Sequence, residues 1–230
     1  MTMRNAYNED LRSISDQLVE MTRLAGSAIA RASTALLDAD LVLAESVITA
    51  DHELDDAREN LDNLAIDLLA RQSPVATDLR TVVTAMRMSS DLERMGDLAR
   101  HVAKVARLRY PASAVPPEMR ATIVQMSQVA SRIVAKAGSV IASRDLVEAA
   151  ALEREDDAMD DLHRQLFAHL ADPEFNLETQ TAVDLTLVGR YYERFADHAV
   201  SVARRVTFLV TGDYDTVVDR EDEEDAVLSS

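Results

Sequence analysis

Residues 11–35 read Leu11-Arg12-Ser13-Ile14-Ser15-Asp16-Gln17-Leu18-Val19-Glu20-Met21-Thr22-Arg23-Leu24-Ala25-Gly26-Ser27-Ala28-Ile29-Ala30-Arg31-Ala32-Ser33-Thr34-Ala35. Within them Leu11, Ile14, Leu18, Met21, Ala25, Ala28, Ala32 and Ala35 alternate in steps of three and four, separated by polar residues such as Arg12, Asp16, Glu20 and Arg31. That spacing predicts a long amphipathic helix with a bundle-type seam. A second helix should open at Asp40, whose side chain can cap the next turn, and run to about Arg71. Ser73-Pro74 breaks the ladder, and a third helix follows from about Val75 to Arg107, with Pro74 near its first position and Asp78 favouring its N-terminal dipole.

The pattern then recurs. A shift of 105 carries Ile14, Leu18, Met21, Ala25, Ala28, Ala32 and Ala35 onto Met119, Ile123, Met126, Ala130, Ile133, Ala137 and Val140. The same shift lays residues 40–56 on 145–161 with seven of 17 positions identical, enough to read a duplication rather than two unrelated helices. A shift of 100 superposes Glu93-Arg94, Asp97, Ala99 and Val102-Ala103 on Glu193-Arg194, Asp197, Ala199 and Val202-Ala203. The expected architecture is all-α, two tandem, pseudo-symmetric three-helix bundles. The first repeat spans 1–109, a Pro-rich linker 110–117, the second repeat 118–212, and a disordered acidic tail 213–230.

Composition narrows the function classes. Five scattered glycines leave no room for a dinucleotide or P-loop phosphate cradle. The absence of cysteine removes disulfides, thiolate metal sites and thiol nucleophiles. No 18-residue apolar run and no apolar leader are present, so the expectation is a soluble, cytoplasmic protein that reaches a membrane only through partners. A formal charge of −17 argues against direct nucleic-acid binding, because phosphate-tracking proteins cluster Lys and Arg. Asp213 to Asp225 hold eight acids and one Arg, so the tail carries −7 of that charge and the helical body −10.

Four carboxylate pairs sit four residues apart on expected helices: Asp51 with Asp55, Glu93 with Asp97, Asp156 with Asp160, and Glu193 with Asp197. Each pair projects from one helix face, where like charges repel unless a cation lies between them. Their recurrence in both repeats marks them as candidate metal ligands, suited to hard cations. A ferritin-like di-iron centre is excluded, since no His has Glu three residues before it. Two alternatives remain at this point: metal storage or metal-dependent catalysis in the bundle, and a bare structural bundle. His198 beside Asp197 could join a metal's outer shell, and Arg94 and Arg194 could hold a neighbouring carboxylate, bind phosphate or form surface ion pairs on their helices.

Three motifs carry a resemblance. Asp91-Leu92-Glu93-Arg94-Met95-Gly96-Asp97, Pro74-Val75-Ala76 with Asp78-Leu79-Arg80, and Tyr192-Glu193-Arg194-Phe195-Ala196-Asp197-His198-Ala199 resemble signatures of the PhoU family, negative regulators of phosphate uptake. The resemblance implies a non-enzymatic adaptor between the ATPase subunit of a phosphate ABC transporter and a phosphate-sensing histidine kinase. It further implies a homodimer, and divalent or trivalent metal ions (Mg, Mn, Fe or Zn) held by the eight carboxylates. Asn176-Leu177-Glu178-Thr179-Gln180 and Tyr191-Tyr192 depart from the first-repeat motifs. With Asp78 and Asp91 unmatched in the second repeat, the first carboxylate set is expected to be the stronger site.

Overall fold

The computed structural model describes residues 3–172, 174, 175 and 177–213, so Asp219–Asp225 of the acidic tail lie outside the described residues. The first repeat comprises α1 (Met3–Asp38), α2 (Leu41–Ala50), α3 (His52–Gln72) and α4 (Thr77–Arg109). The second comprises α5 (Arg120–Ser143), α6 (Leu146–Ala171) and α7 (Thr179–Thr211). Asp51, between α2 and α3, keeps helical torsions (φ −55, ψ −36), so these two form one rod with an irregular turn. The architecture is thus two tandem three-helix units, as the periodicity predicts.

The rod's single expected helix is interrupted because local polar groups compete for its carbonyls. His52 Nδ1 lies 2.6 Å from the Thr49 carbonyl, and Leu54 N–H closes a short three-residue bond to the Asp51 carbonyl. The equivalent α6 runs unbroken through Asp156. Both capping aspartates act alike: Asp40 accepts from Leu43 N–H at 2.9 Å, and Asp145 from Val147 N–H at 2.7 Å. α4 starts two residues later than expected. Ser73 and Ala76 both take positive φ around Pro74-Val75, so Pro74 belongs to the connection rather than to the first turn.

The seam residues go where their spacing sends them. Ile14, Leu18, Met21, Ala25, Ala32 and Ala35 are at most 2% exposed, and all seven second-repeat counterparts at most 1%. The repeats share one continuous core: α1 packs on α4 and α5, α4 on α7, and α5 on α6 and α7, with the α2–α3 rod and α6 outside. Small residues permit this closeness. A Cβ on Gly138 of α5 would stand 2.6 Å from Thr22 Oγ1 of α1. The Pro-rich connection is also anchored, with Ala114 and Val115 buried against the core.

α4 and α7 run antiparallel, since contacts pair 91 with 205, 101 with 191 and 109 with 184. Polar groups pin this pairing: Arg205 Nε donates to Asp91 at 2.7 Å, His198 Nδ1 lies 3.2 Å from the same carboxylate, and Arg109 pairs with Asp184. A buried hydrogen bond of 2.6 Å joins Tyr192 of α7 to Ser33 of α1. Leu92, fully buried on the apolar side of α4, tests the core: Leu92→Ala is expected to cost about 3 kcal/mol. Ile66→Ala on the exposed face of α3 should stay within about 0.5 kcal/mol, both measured by urea unfolding.

Candidate metal centre

Each carboxylate set is assembled from two helices of one repeat. Asp51 and Asp55 ride the α2–α3 rod, Glu93 and Asp97 the facing stretch of α4; Asp156 and Asp160 ride α6, Glu193 and Asp197 α7. The apolar neighbours of these residues face inward and fix the helix rotation. Leu54, Leu92, Met95 and Gly96 are buried around the first set, and Met159, Tyr192, Phe195 and Ala196 around the second. Packing therefore turns the polar positions of each outer rod and its partner helix toward a common seam.

In the first seam the carboxylates meet arginines. Arg100 bridges the helices, with Nη1 on Asp51 Oδ2 at 2.5 Å and Nη2 on Asp97 Oδ1. Arg94 Nη1 pairs with Asp97 Oδ2 at 3.0 Å, and Arg58 Nη1 lies 3.6 Å from Glu93 Oε2. Burial raises the pKa of Asp51, which Arg100 opposes and Asp55 and Asp97 reinforce. Burial also raises that of Glu93, with Asp97 adding to it and Arg58 and Arg94 opposing.

The second seam is far more strained. Asp156 is pushed up to about 7 by burial first and then by the charges of Asp160, Asp197, Asp157 and Glu193. Glu193 is likewise pushed up to about 7 by burial and Asp197, against the pull of Arg190, which donates to its Oε1. Asp156 Oδ1 and Glu193 Oε2 are both buried without a hydrogen-bond partner. His163, where the first repeat has Arg58, stacks edge-on against Phe167 and keeps Nε2 buried and unpartnered. Buried orphaned oxygens among mutually repelling carboxylates are the environment a hard cation relieves, so the residues of this seam fit one. Among the described residues no three His, Asp or Glu side chains yet converge tightly enough to hold an ion as they stand.

Several residues stand elsewhere than sequence reasoning put them. Asp91 faces α7, not the first seam, and His198 turns to Asp91 rather than to Asp197's neighbours. Asp78 lies beside Tyr7 at the far end of α4. The reasons for favouring the first set therefore fall away. Arg194 is exposed, while Arg94 lies across its own helix's carboxylates. Arg100 was missed, although comparing residues at the shift of 100 sets it against Val200.

A family model described as PhoU domain matches residues 18–106 and 123–206, one match on each repeat. The chain belongs to the PhoU family. It is 50% identical, over 91% of its length and 99% of the relative's, to a Mycobacterium tuberculosis protein named phosphate-specific transport system accessory protein PhoU homolog 2. It is 49% identical, over 92% of its length and 96% of the relative's, to PhoU homolog 1 of Mycobacterium leprae. The crystal structure of PhoU from Pseudomonas aeruginosa superposes with a TM-score of 0.81 at 27% identity, covering 90% of this chain and all of that one. A Streptococcus pneumoniae phosphate transport system regulatory protein PhoU, 22% identical, shares the fold with a TM-score of 0.82, over 90% of this chain and 98% of that one.

The shifts at Asp156 and Glu193 set a pH dependence. Carboxylates with raised folded pKa values hold more protons folded than unfolded, so their contribution is full below about pH 4 and is lost as pH rises through about 7. Metal-free protein should therefore lose melting temperature between pH 5 and 8, and Asp156→Asn, neutral throughout, should flatten that loss. Calorimetric melts across the range check it.

Proposed function

We propose that this chain is a non-enzymatic regulator that restrains phosphate uptake and phosphate-starvation signalling when phosphate is plentiful. The observation that carries this reading is identity of one half, along nine-tenths of the chain, with a relative named as an accessory protein of a phosphate-specific transport system. The proposed partners are the ATPase subunit of a phosphate ABC transporter and a phosphate-sensing histidine kinase. No helix among the described residues is long and apolar enough to cross a membrane, so contact with membrane proteins would run through helix faces. We also place the protein in the cytoplasm, as a homodimer.

The architecture supports an adaptor. The repeats share one core, and rigid rods present long outer surfaces on both sides of it. Divalent or trivalent ions are proposed to sit in the carboxylate seams, with Asp156, Asp160, Glu193 and Asp197 the better-fitting set beside Asp51, Asp55, Glu93 and Asp97. Bound there, an ion supplies positive charge that offsets carboxylate repulsion and ties each outer rod to its inner helix. The protein residues themselves position the seam: buried Leu166 of α6 packs over Gly189 of α7, where an added Cβ would collide with it.

Deleting the gene in its host and following a phosphate-responsive reporter in high phosphate tests the reading. Derepression, restored by the wild-type gene, is the expected outcome. Unchanged repression in a strain without a paralogue overturns it.

A further inference from the structure

We propose that the groove between the start of α4 and the end of α7 is a docking site for the chain's own acidic C-terminal segment, residues 214–230, whose carboxylates pair with Arg80 and Arg87. The segment is tethered at the mouth of the groove, so it occupies that face ahead of an acidic stretch of another chain.

The groove holds about 430 Å³, and its walls include Ala76, Leu79, Arg80, Val83, Arg87 and Phe208. Leu79 and Val83 are exposed apolar residues one turn apart on α4. Arg80 of α4 lies over the Phe208 ring of α7, 5.6 Å from its centroid, so the groove spans the two helices. Its Nε is buried and has no hydrogen-bond partner among the described residues. An unpaired guanidinium N–H has a cost that an approaching carboxylate relieves. No carboxylate of the described residues lines the groove, although the chain as a whole carries −17. An apolar floor between two arginines suits an anionic segment that also brings apolar side chains.

The chain delivers such a segment to this place. Gly212, left-handed at φ +78, ends α7, and its N–H donates to the Phe208 carbonyl at 2.8 Å. It passes so close to Arg80 that an added Cβ would collide with Arg80 Nη1. The backbone therefore leaves α7 against one of the two arginines. Residues 214–230 hold seven acids and one Arg, and they lie beyond the family match, which ends at residue 206. Asp219, where the acidic run begins, follows Asp213 by six positions, a reach of up to about 20 Å in extended chain. Arg80 and Arg87 stand two helical turns apart on one face of α4, about 10 Å, so residues 219–225 can reach both. Val217-Val218 precede the acids, as Leu79 and Val83 lie beside the arginines. A single exposed ion pair contributes little. Several carboxylates held at the millimolar effective concentration of a short tether contribute more.

The chain has no cysteine, so Ala226→Cys carries a single nitroxide spin label, and methyl NMR of the full chain reads where that label goes. At low ionic strength the Leu79 and Val83 methyl signals should lose most of their intensity, while those of exposed Leu108 at the opposite end of α4 keep theirs. Added salt should restore the lost signals. Glu221→Gln, Asp222→Asn, Glu223→Gln, Glu224→Gln and Asp225→Asn together should abolish the broadening. Arg80→Gln with Arg87→Gln should do the same, whereas Arg23→Gln, which removes an arginine of α1, should not. Absent broadening, broadening spread evenly along α4, or broadening that survives neutralisation of the five acids overturns the proposal. Equal broadening in a mixture of spin-labelled chain with separate isotope-labelled chain also overturns it, because the segment then sits on a second copy. If the arginine variant does not fold, the variant with five neutralised acids, which leaves residues 1–213 unaltered, decides alone.

Discussion

Close antiparallel packing of small-residue helix faces is the constraint on which everything else here depends. α1 can lie against α5, and α4 against α7, only because alanines and glycines line the contact, as at Gly138 over Thr22. With those four helices fixed, each outer rod has one groove left to fill. The acidic positions of the rod and of its inner neighbour then meet along the rim of that groove. The seams are thus a by-product of core burial, and the energy that holds their like charges together comes from apolar contacts such as Leu54 and Met159.

Pseudo-symmetry sets the plan, and polar substitutions break it. Asp91 sits 9% exposed between His198 and Arg205, yet the corresponding residues of the other repeat are Tyr191, Leu98 and Val105. Arg109 with Asp184 fastens the opposite end of the α4–α7 pair, where the counterparts are Leu209 and Thr84. Both ends of the pair are pinned by charge, but by different residues. The same divergence reaches the seams, where Arg100 faces two carboxylates and Val200 faces the core. Duplication supplied two similar frames, and single substitutions gave them unlike electrostatics.

The asymmetry has a physical meaning. Arg100 supplies the first seam with a permanent positive charge shared by two of its carboxylates. In the second seam burial and neighbouring carboxylates push Asp156 and Glu193 up to about 7, so the charge there changes across neutral pH.

Much of this was legible in the sequence, for identifiable reasons. The three-four spacing from Leu11 to Ala35 is dictated by helix geometry, and the recurrence of Asp40-Leu41-Val42 as Asp145-Leu146-Val147 marks the same cap twice. The carboxylate spacing likewise placed each pair on one helix face. The direction of Asp91, the start of α4 after Ala76 and the break at Asp51 were not legible, since each depends on which neighbour a polar group finds in space. By itself the sequence determined the helices, their duplication and the residues of the candidate seams, because local periodicity and capping are properties of near neighbours along the chain. Only the tertiary structure decided that Arg100 bridges the two elements of the first seam, because it reaches Asp51 across 49 positions of sequence, and that contact exists only once the helices are packed.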